Sequence, residues 1–89
     1  MKEMIIMNSR DNVGICLRDF SSGEKLDFQL DRKNLCVAFE DPVPMGHKVA
    51  LSDIQKGDPI IKYGEKIGRA TIDITVGQHV HLHNVTDWE

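Results

Sequence analysis

Asp73-Ile74-Thr75-Val76-Gly77-Gln78-His79-Val80 is the last of three copies of one pattern in this 89-residue chain. Each copy has an aspartate, an apolar or aromatic residue, two variable residues, a glycine, a polar residue, one variable residue and an aliphatic residue. The earlier copies are Asp19-Phe20-Ser21-Ser22-Gly23-Glu24-Lys25-Leu26 and Asp53-Ile54-Gln55-Lys56-Gly57-Asp58-Pro59-Ile60. Glycine tolerates a positive φ, and an aspartate can hydrogen-bond to its own nearby backbone. Each copy is therefore interpreted as a hairpin-like connection between two strands.

Strand-like runs lie before and after these connections. Gly64-Glu65 is typical of a tight turn, and Gly68 indicates a bulge or a close backbone approach. A short helix is allowed around 52–55 or 31–34, and no longer helical period is present. The sequence predicts one small, mostly β domain over residues 1–89, with many turns and at most one or two short helices. The strand candidates are 4–7, 13–19, 25–30, 35–39, 48–51, 59–63, 66–71 and 80–83.

Composition excludes several classes of protein. The net charge of −3 and the scattered basic residues argue against a nucleic-acid partner, because no basic stripe is available to neutralise phosphates. No apolar run approaches the roughly 18 residues of a membrane span. The N-terminal segment is too short for a signal peptide and carries an acid, Glu3, near its start, so a cytoplasmic location is expected.

The two cysteines do not indicate a disulfide framework. Cys16 and Cys36 each lie inside an apolar, strand-like run. A thiol in such a run behaves as a small hydrophobe, so both are expected to be buried and reduced.

A small sheet of this kind has exposed edges. Unpaired edge strands attract a further strand or subunit, so a second copy of the chain or a different subunit is an expected partner.

The segment His79-Val80-His81-Leu82-His83-Asn84 carries the strongest functional signal. Its strict alternation predicts a strand with Val80 and Leu82 in the core and the three histidines on the other face. Residues i and i+2 on a strand are roughly 6.5 Å apart, so two neighbouring histidines could bind one metal ion. Further ligands would have to come from elsewhere, and His47 is the one other histidine. The alternative is a half-buried strand whose histidines only pack and hydrogen-bond.

Two more segments could bind an anion. His47 and Lys48 follow Gly46, and a cation beside an imidazole can hold a carboxylate or a phosphate. Lys62 and Tyr63 precede a glycine turn, and Arg69 follows Gly68. Each group could equally be an ordinary solvated surface. No nucleophile elbow, phosphate-binding loop or CxxC pair is present, so a site shared between subunits is more credible than an isolated one.

Taken in order, these motifs resemble one known family. The motifs are Gly46-His47-Lys48-Val49-Ala50-Leu51, Asp53-Ile54 with Gly57, Ile61-Lys62-Tyr63-Gly64, Ile67-Gly68-Arg69-Ala70 and His79-Val80-His81-Leu82-His83-Asn84, preceded by Asp11-Asn12-Val13-Gly14 and Leu17-Arg18-Asp19. The chain resembles the N-terminal SAF-type domain of the altronate and galactarate dehydratase family over nearly its whole length. The segments 1–10 and 31–41 match loosely.

The resemblance implies a β-clip fold and a role as the small subunit of a split lyase, similar to sulfolactate sulfo-lyase. It implies elimination next to the carboxylate of a polyhydroxy or sulfonated 2-hydroxy acid, with iron or another divalent metal, and activity only with a larger catalytic subunit. His81 and His83 are the expected catalytic residues, and His79 and His81 the expected metal ligands. Substrate binding is expected at His47, Lys48, Lys62, Tyr63, Arg69 and Asn84.

Two other functions stay open at this point. β-clip domains also serve as carbohydrate-interacting or assembly modules, so the chain could bind a sugar acid, or hold an oligomer together, without catalysis. A free-standing metal-binding protein is the third possibility.

Overall fold

The computed structural model describes residues 2–89, which form nine β-strands and no helix. The mostly β prediction is therefore confirmed, whereas the helices allowed around 31–34 and 52–55 are absent. Asp31 and Arg32 instead have φ values of 51° and 65° and form the turn of a hairpin. The strands are β1 Met4–Ile5, β2 Val13–Cys16, β3 Lys25–Leu30, β4 Lys33–Ala38, β5 Lys48–Ala50, β6 Pro59–Lys62, β7 Glu65–Ala70, β8 His79–Val80 and β9 Val85–Thr86.

These strands form three small antiparallel sheets. The first has the order β1-β2-β5-β8, the second is the β3–β4 hairpin, and the third has the order β6-β7-β9. Two similar halves follow one another along the chain. Each half leaves the first sheet through a repeated turn, forms a hairpin, and returns through a second turn to the first sheet.

The repeated turns connect strands of different sheets, so their interpretation as hairpin connections was wrong. Their glycines do adopt positive φ, with values of 92°, 92° and 91° at Gly23, Gly57 and Gly77. The expectation that their aspartates bond to their own local backbone was also wrong. Asp53 Oδ1 accepts the N–H of Val76 and Asp73 Oδ1 that of Lys56, which ties two turns together reciprocally.

Two apolar clusters form the interior, and Val13 of β2 joins the one that is otherwise built by β5 and the second half. The first contains Cys16, Phe20, Val37, Phe39, Val43 and Val49, and the second contains Val13, Ala50, Ile54, Ile60, Ala70, Ile74 and Val80. Strand β5 contributes Val49 to the first cluster and Ala50 to the second. Its pairing with both β2 and β8 makes it the common element of the two halves.

Asp11, in the segment that precedes β2, binds the turn of the β6–β7 hairpin. The buried carboxylate of Asp11 accepts the N–H groups of Tyr63 and Gly64 at 3.0 and 2.8 Å. These two residues have φ values of 58° and 72°, so the tight turn lies one residue earlier than the predicted Gly64-Glu65. The expectation for Gly68 is confirmed, because a Cβ there would lie 2.6 Å from Val85 Cγ1.

The predicted last strand at 80–83 was wrong. Strand β8 ends at Val80, residues 81–84 form a turn, and β9 follows. Leu82, expected in the core, is 83% exposed.

The cysteine prediction is half right. Both thiols are free and Cys16 is buried, where desolvation raises its pKa to about 11. Cys36 is exposed, because among the described residues β4 pairs with β3 alone and turns Val37 rather than Cys36 toward the core. Within the described part of the chain, no helix is long and apolar enough to cross a membrane.

Candidate metal centre

Three of the four histidines converge on one point of the surface. His47, His79 and His81 each present a ring nitrogen, and these three atoms all lie within 4.8 Å of one another. His47 Nδ1 is 2.9 Å from His79 Nε2, a hydrogen bond in which one ring donates and the other accepts. The rings of His47 and His81 stack with centroids 4.2 Å apart, and all three residues are half-buried.

Strand pairing brings His47 and His79 together across 32 residues of chain. His47 immediately precedes β5, and His79 begins β8. These strands pair antiparallel, with Lys48 opposite Val80 and Val49 opposite His79. Asp41 Oδ2 also accepts the backbone N–H of His79 at 3.0 Å, which fixes the start of β8.

A buried asparagine places His81 beside the other two rings. Asn84 is 3% exposed; its Oδ1 accepts the N–H of His81, and its Nδ2 donates to the carbonyl of His79. The chain therefore turns back after Val80 rather than continuing as a strand. The predicted substrate ligand Asn84 thus has both side-chain polar atoms bonded to the protein backbone.

Sequence reasoning did not identify the turn that carries His47 as a fourth copy of the repeated pattern. It reads Pro42-Val43-Pro44-Met45-Gly46-His47-Lys48-Val49, with proline in place of the aspartate. Gly46 has a φ of 85°, Val43 bridges Phe20, and Asp19 Oδ1 accepts the Met45 N–H. The glycine spacing was the signal that could have found it.

The environment favours the neutral form of two of these imidazoles, His79 and His81. Desolvation, followed by the neighbouring rings of His83, His47 and His81, lowers the pKa of His79, and the charge of Asp41 opposes this. Desolvation, followed by His47 and Lys48, lowers the pKa of His81. Neutral imidazole is the form that binds a metal ion.

The donor set fits a first-row divalent ion. Metal–nitrogen bonds of about 2.0–2.1 Å in a tetrahedral site place ligand nitrogens roughly 3.4 Å apart. That spacing lies between the contact of 2.9 Å and the outer limit of 4.8 Å, so the separations of the three nitrogens are in the range that such an ion needs. Imidazole ligands suit iron, zinc, copper and nickel.

The other predicted site residues lie at different distances from this cluster. His83 is exposed, and its ring centroid is 5.2 Å from that of His79. Lys48 lines a cavity of about 240 Å³ together with His81, Leu82 and Ile67. Desolvation, followed by the charge of Lys62, lowers the pKa of Lys48.

Tyr63 and Arg69 have contacts of other kinds. Tyr63 lies at the tip of the β6–β7 hairpin and is 58% exposed, with Lys62 Nζ 5.5 Å from its ring centroid. Arg69 donates from Nη1 to the carbonyl of Gly57 and lies 4.1 Å above the ring of Trp88. The guanidinium therefore contacts Gly57, which precedes β6, and Trp88, which follows β9.

The family model of the altronate/galactarate dehydratase SAF domain matches residues 2–87. The chain belongs to this family. Its relatives include the altronate dehydratases of Bacillus subtilis, 40% identical over 84 residues, and of Escherichia coli, 42% identical over 82 residues. These alignments cover 94% and 92% of this SAF-domain chain.

The relatives differ greatly in length from one another. The chain spans only 16% of each altronate dehydratase. By contrast, it is 33% identical over 86 residues to the (2R)-sulfolactate sulfo-lyase subunit alpha of Chromohalobacter salexigens. That alignment covers 93% of this chain and 92% of the relative. The SAF domain of this family thus occurs both inside a long chain and as a subunit of similar size to this one.

Proposed function

We propose that this SAF-domain chain is the small subunit of a metal-dependent lyase. With a larger catalytic subunit, it would eliminate water or sulfite from a polyhydroxy or sulfonated 2-hydroxy acid. The relatives support the reaction class, since their names are those of a dehydratase and a sulfo-lyase. The sulfo-lyase alpha subunit, which matches this chain over nearly its full length, supports the division into separate chains.

The convergence of His47, His79 and His81 is the observation that carries the proposal. Three imidazoles within 4.8 Å form an incomplete ligand set, because a divalent ion takes at least a fourth ligand. The rings are half-buried at the surface, so a partner chain or a substrate oxygen can supply the rest. We therefore assign His47 to the ligand set, beside the expected ligands His79 and His81.

The chemistry requires removal of a weakly acidic proton next to a carboxylate. A bound divalent ion, such as iron, would stabilise the negative charge that develops on the substrate oxygens. The proton leaves the carbon beside the carboxylate, and hydroxide or sulfite leaves the adjacent carbon with the bonding electrons. The resulting enol takes up a proton to become a 2-keto acid.

His83 is suited to move a proton in this reaction. It lies outside the three-nitrogen group but beside it, and its exposed ring can reach a substrate on the partner-facing side. A positioned imidazole contributes about 10²–10⁴-fold to a proton transfer.

Lys48 and Lys62 are suited to bind the substrate's acidic group. Lys48 lines the cavity beside His81, and the charge of Lys62 is close enough to lower its pKa. Two neighbouring, partly desolvated cations favour a carboxylate or sulfonate, whose negative charge offsets their mutual repulsion.

A partner-facing surface surrounds the cluster. Leu82 is 83% exposed and Ile67 43% exposed, and both line the cavity that includes His81 and Lys48. Exposed apolar side chains beside an incomplete site favour docking of a larger chain over this face.

The first test measures metal binding by the isolated chain. Anaerobic titration with Co²⁺, followed by its visible absorption, should show one ion per chain. His47→Ala should weaken binding at least about tenfold, the loss that even an outer-shell partner can cause. His83→Ala is the matched control for metal affinity, because His83 lies outside the ligand group. Equal affinities of all three proteins would contradict the assignment.

The second test concerns the reaction. A tagged pull-down from the native cell should recover a larger chain, and the eluate should form 2-keto acid from a hexonate, a hexarate or sulfolactate. Activity should disappear when the two chains are separated. If the chain is recovered alone and inert, but binds one of these acids, a binding module replaces the lyase.

A further inference from the structure

We propose that Pro44 is a positioning residue for the histidine cluster. Any other residue at position 44 would have a backbone N–H that could hydrogen-bond to the His47 ring and draw it away from the cluster. This inference rests on the proposed role of His47 as a metal ligand. It concerns a different question, namely why the residue after the glycine enters the site in the fourth turn, whereas in the other three turns it bonds back into its own turn.

In the three aspartate-containing turns, the residue after the glycine bonds back into its own turn. Its side-chain oxygen accepts the N–H of the residue three positions earlier. The pairs are Glu24 Oε2 with the Ser21 N–H at 2.6 Å, Asp58 Oδ2 with the Gln55 N–H at 3.3 Å, and Gln78 Oε1 with the Thr75 N–H at 2.9 Å.

The fourth turn has the same backbone but lacks that donor. The His47 N–H donates to the Pro44 carbonyl at 3.0 Å, as the Glu24 N–H donates to the Ser21 carbonyl at 3.2 Å. Pro44 thus occupies the position of Ser21, Gln55 and Thr75. A proline has no N–H to donate.

If residue 44 had an N–H, that N–H would compete with His79 for one atom, His47 Nδ1. Imidazole Nδ1 is separated from Cα by the same number of bonds as a carboxylate Oδ, so His47 Nδ1 can take the place that Asp58 Oδ2 occupies in its turn. In the structure His47 Nδ1 is the atom that lies 2.9 Å from His79 Nε2. A bond to residue 44 would therefore replace the contact that joins His47 to the cluster.

Pro44→Ala restores the N–H and tests this competition. One ordinary hydrogen bond should shift the ring's population, and hence weaken Co²⁺ binding, by about three- to tenfold. In the metal-free chain, the nitrogen resonance of His47 Nδ1 and the ring-to-ring contacts with His79 in NMR spectra should change together.

Pro42→Ala is the matched control in the same turn. Pro42 occupies the position of Asp19, Asp53 and Asp73, whose N–H groups make no hydrogen bond within the described residues. It should leave both the metal affinity and the His47 resonances at wild-type values. Equal effects of the two alanine variants would overturn the proposal, as would wild-type behaviour of Pro44→Ala.

A semisynthetic pair separates the N–H from the ring constraint of proline. Ligation at the Leu35–Cys36 junction gives one chain with Pro44→Gly and another with N-methylglycine at position 44. Both have a flexible backbone, and only the first has the N–H. N-methylglycine should restore the His47 resonances and the affinity, whereas equal behaviour of the two chains would overturn the proposal.

These readouts keep the two proposals distinguishable. If the wild-type chain binds no metal, the metal centre fails, but the resonances of the metal-free chain still decide the role of Pro44. If metal binds normally while Pro44→Ala leaves the His47 ring unmoved, only the role of Pro44 fails.

Discussion

Replacing Asp11 by alanine should destabilise the fold strongly, although the residue belongs to no sheet. Its buried carboxylate accepts two backbone N–H groups, from Tyr63 at 3.0 Å and Gly64 at 2.8 Å. A hydrogen bond to a charged group contributes about 1.5–3 kcal/mol. Because water can reach the hairpin tip, the lower value applies to each bond, and we expect Asp11→Ala to lower the free energy of unfolding by about 3 kcal/mol.

Urea unfolding followed by far-UV circular dichroism measures this loss directly. For a chain of this size, each kcal/mol corresponds to roughly 4–8 °C, so the melting temperature should fall by roughly 12–24 °C. Asp58→Ala is the matched control, because Asp58 is exposed and accepts one N–H at 3.3 Å. Asp58→Ala should lower the free energy of unfolding by about 0.5 kcal/mol. If the two variants unfold at the same urea concentration, the reasoning about Asp11 is refuted.

The remaining predictions concern pH, a glycine and the partner surface. The pKa of His79 is lowered in the folded state. Below a pH of about 6.5, the pKa of an unfolded histidine, the unfolded chain therefore binds more protons than the folded chain. The urea concentration at the unfolding midpoint should thus decrease as the pH is lowered from about 7.5 to about 5. His79→Gln should flatten this dependence, and an unchanged slope would contradict the cause. Gly77→Ala should lower the free energy of unfolding by at least about 2 kcal/mol, because its φ is 91° and a Cβ would overlap the carbonyl of Ala38. Gly23→Ala, with a φ of 92° and open space around it, should cost about 1 kcal/mol in the same urea titration, and equal losses would exclude the overlap as a cause. Leu82→Asp should leave the melting temperature within about 2 °C of wild type but abolish recovery of the larger chain in the pull-down, and normal recovery would exclude Leu82 from the interface.

The turns were predictable from sequence because their requirements are local. A positive φ favours glycine wherever it occurs, so Gly23, Gly57 and Gly77 could be identified without knowing the fold. Their partners were not predictable in the same way. The bond from Val76 to Asp53 depends on how two distant turns meet, and no local pattern encodes that meeting.

In the histidine segment, too, local features were predictable from sequence and distant contacts were not. The pairing of β5 with β8 brings His47 beside His79, which the spacing within the segment could not predict, and alternation wrongly extended the strand through Leu82. What ends the strand is Asn84, whose buried side chain bonds to His79 and His81. Hydrophobic alternation describes which residues could face a core and carries no information about such a polar cap.

The position of β5 between the two halves has a consequence for folding kinetics. Both β2 and β8 pair with it, and its neighbouring residues Val49 and Ala50 enter different apolar clusters. These pairings join residues far apart in sequence, which makes them slow to form. His47, which precedes β5, therefore meets His79 only after β5 and β8 have paired across 32 residues of chain, so the proposed metal site can take up an ion only after that pairing has formed.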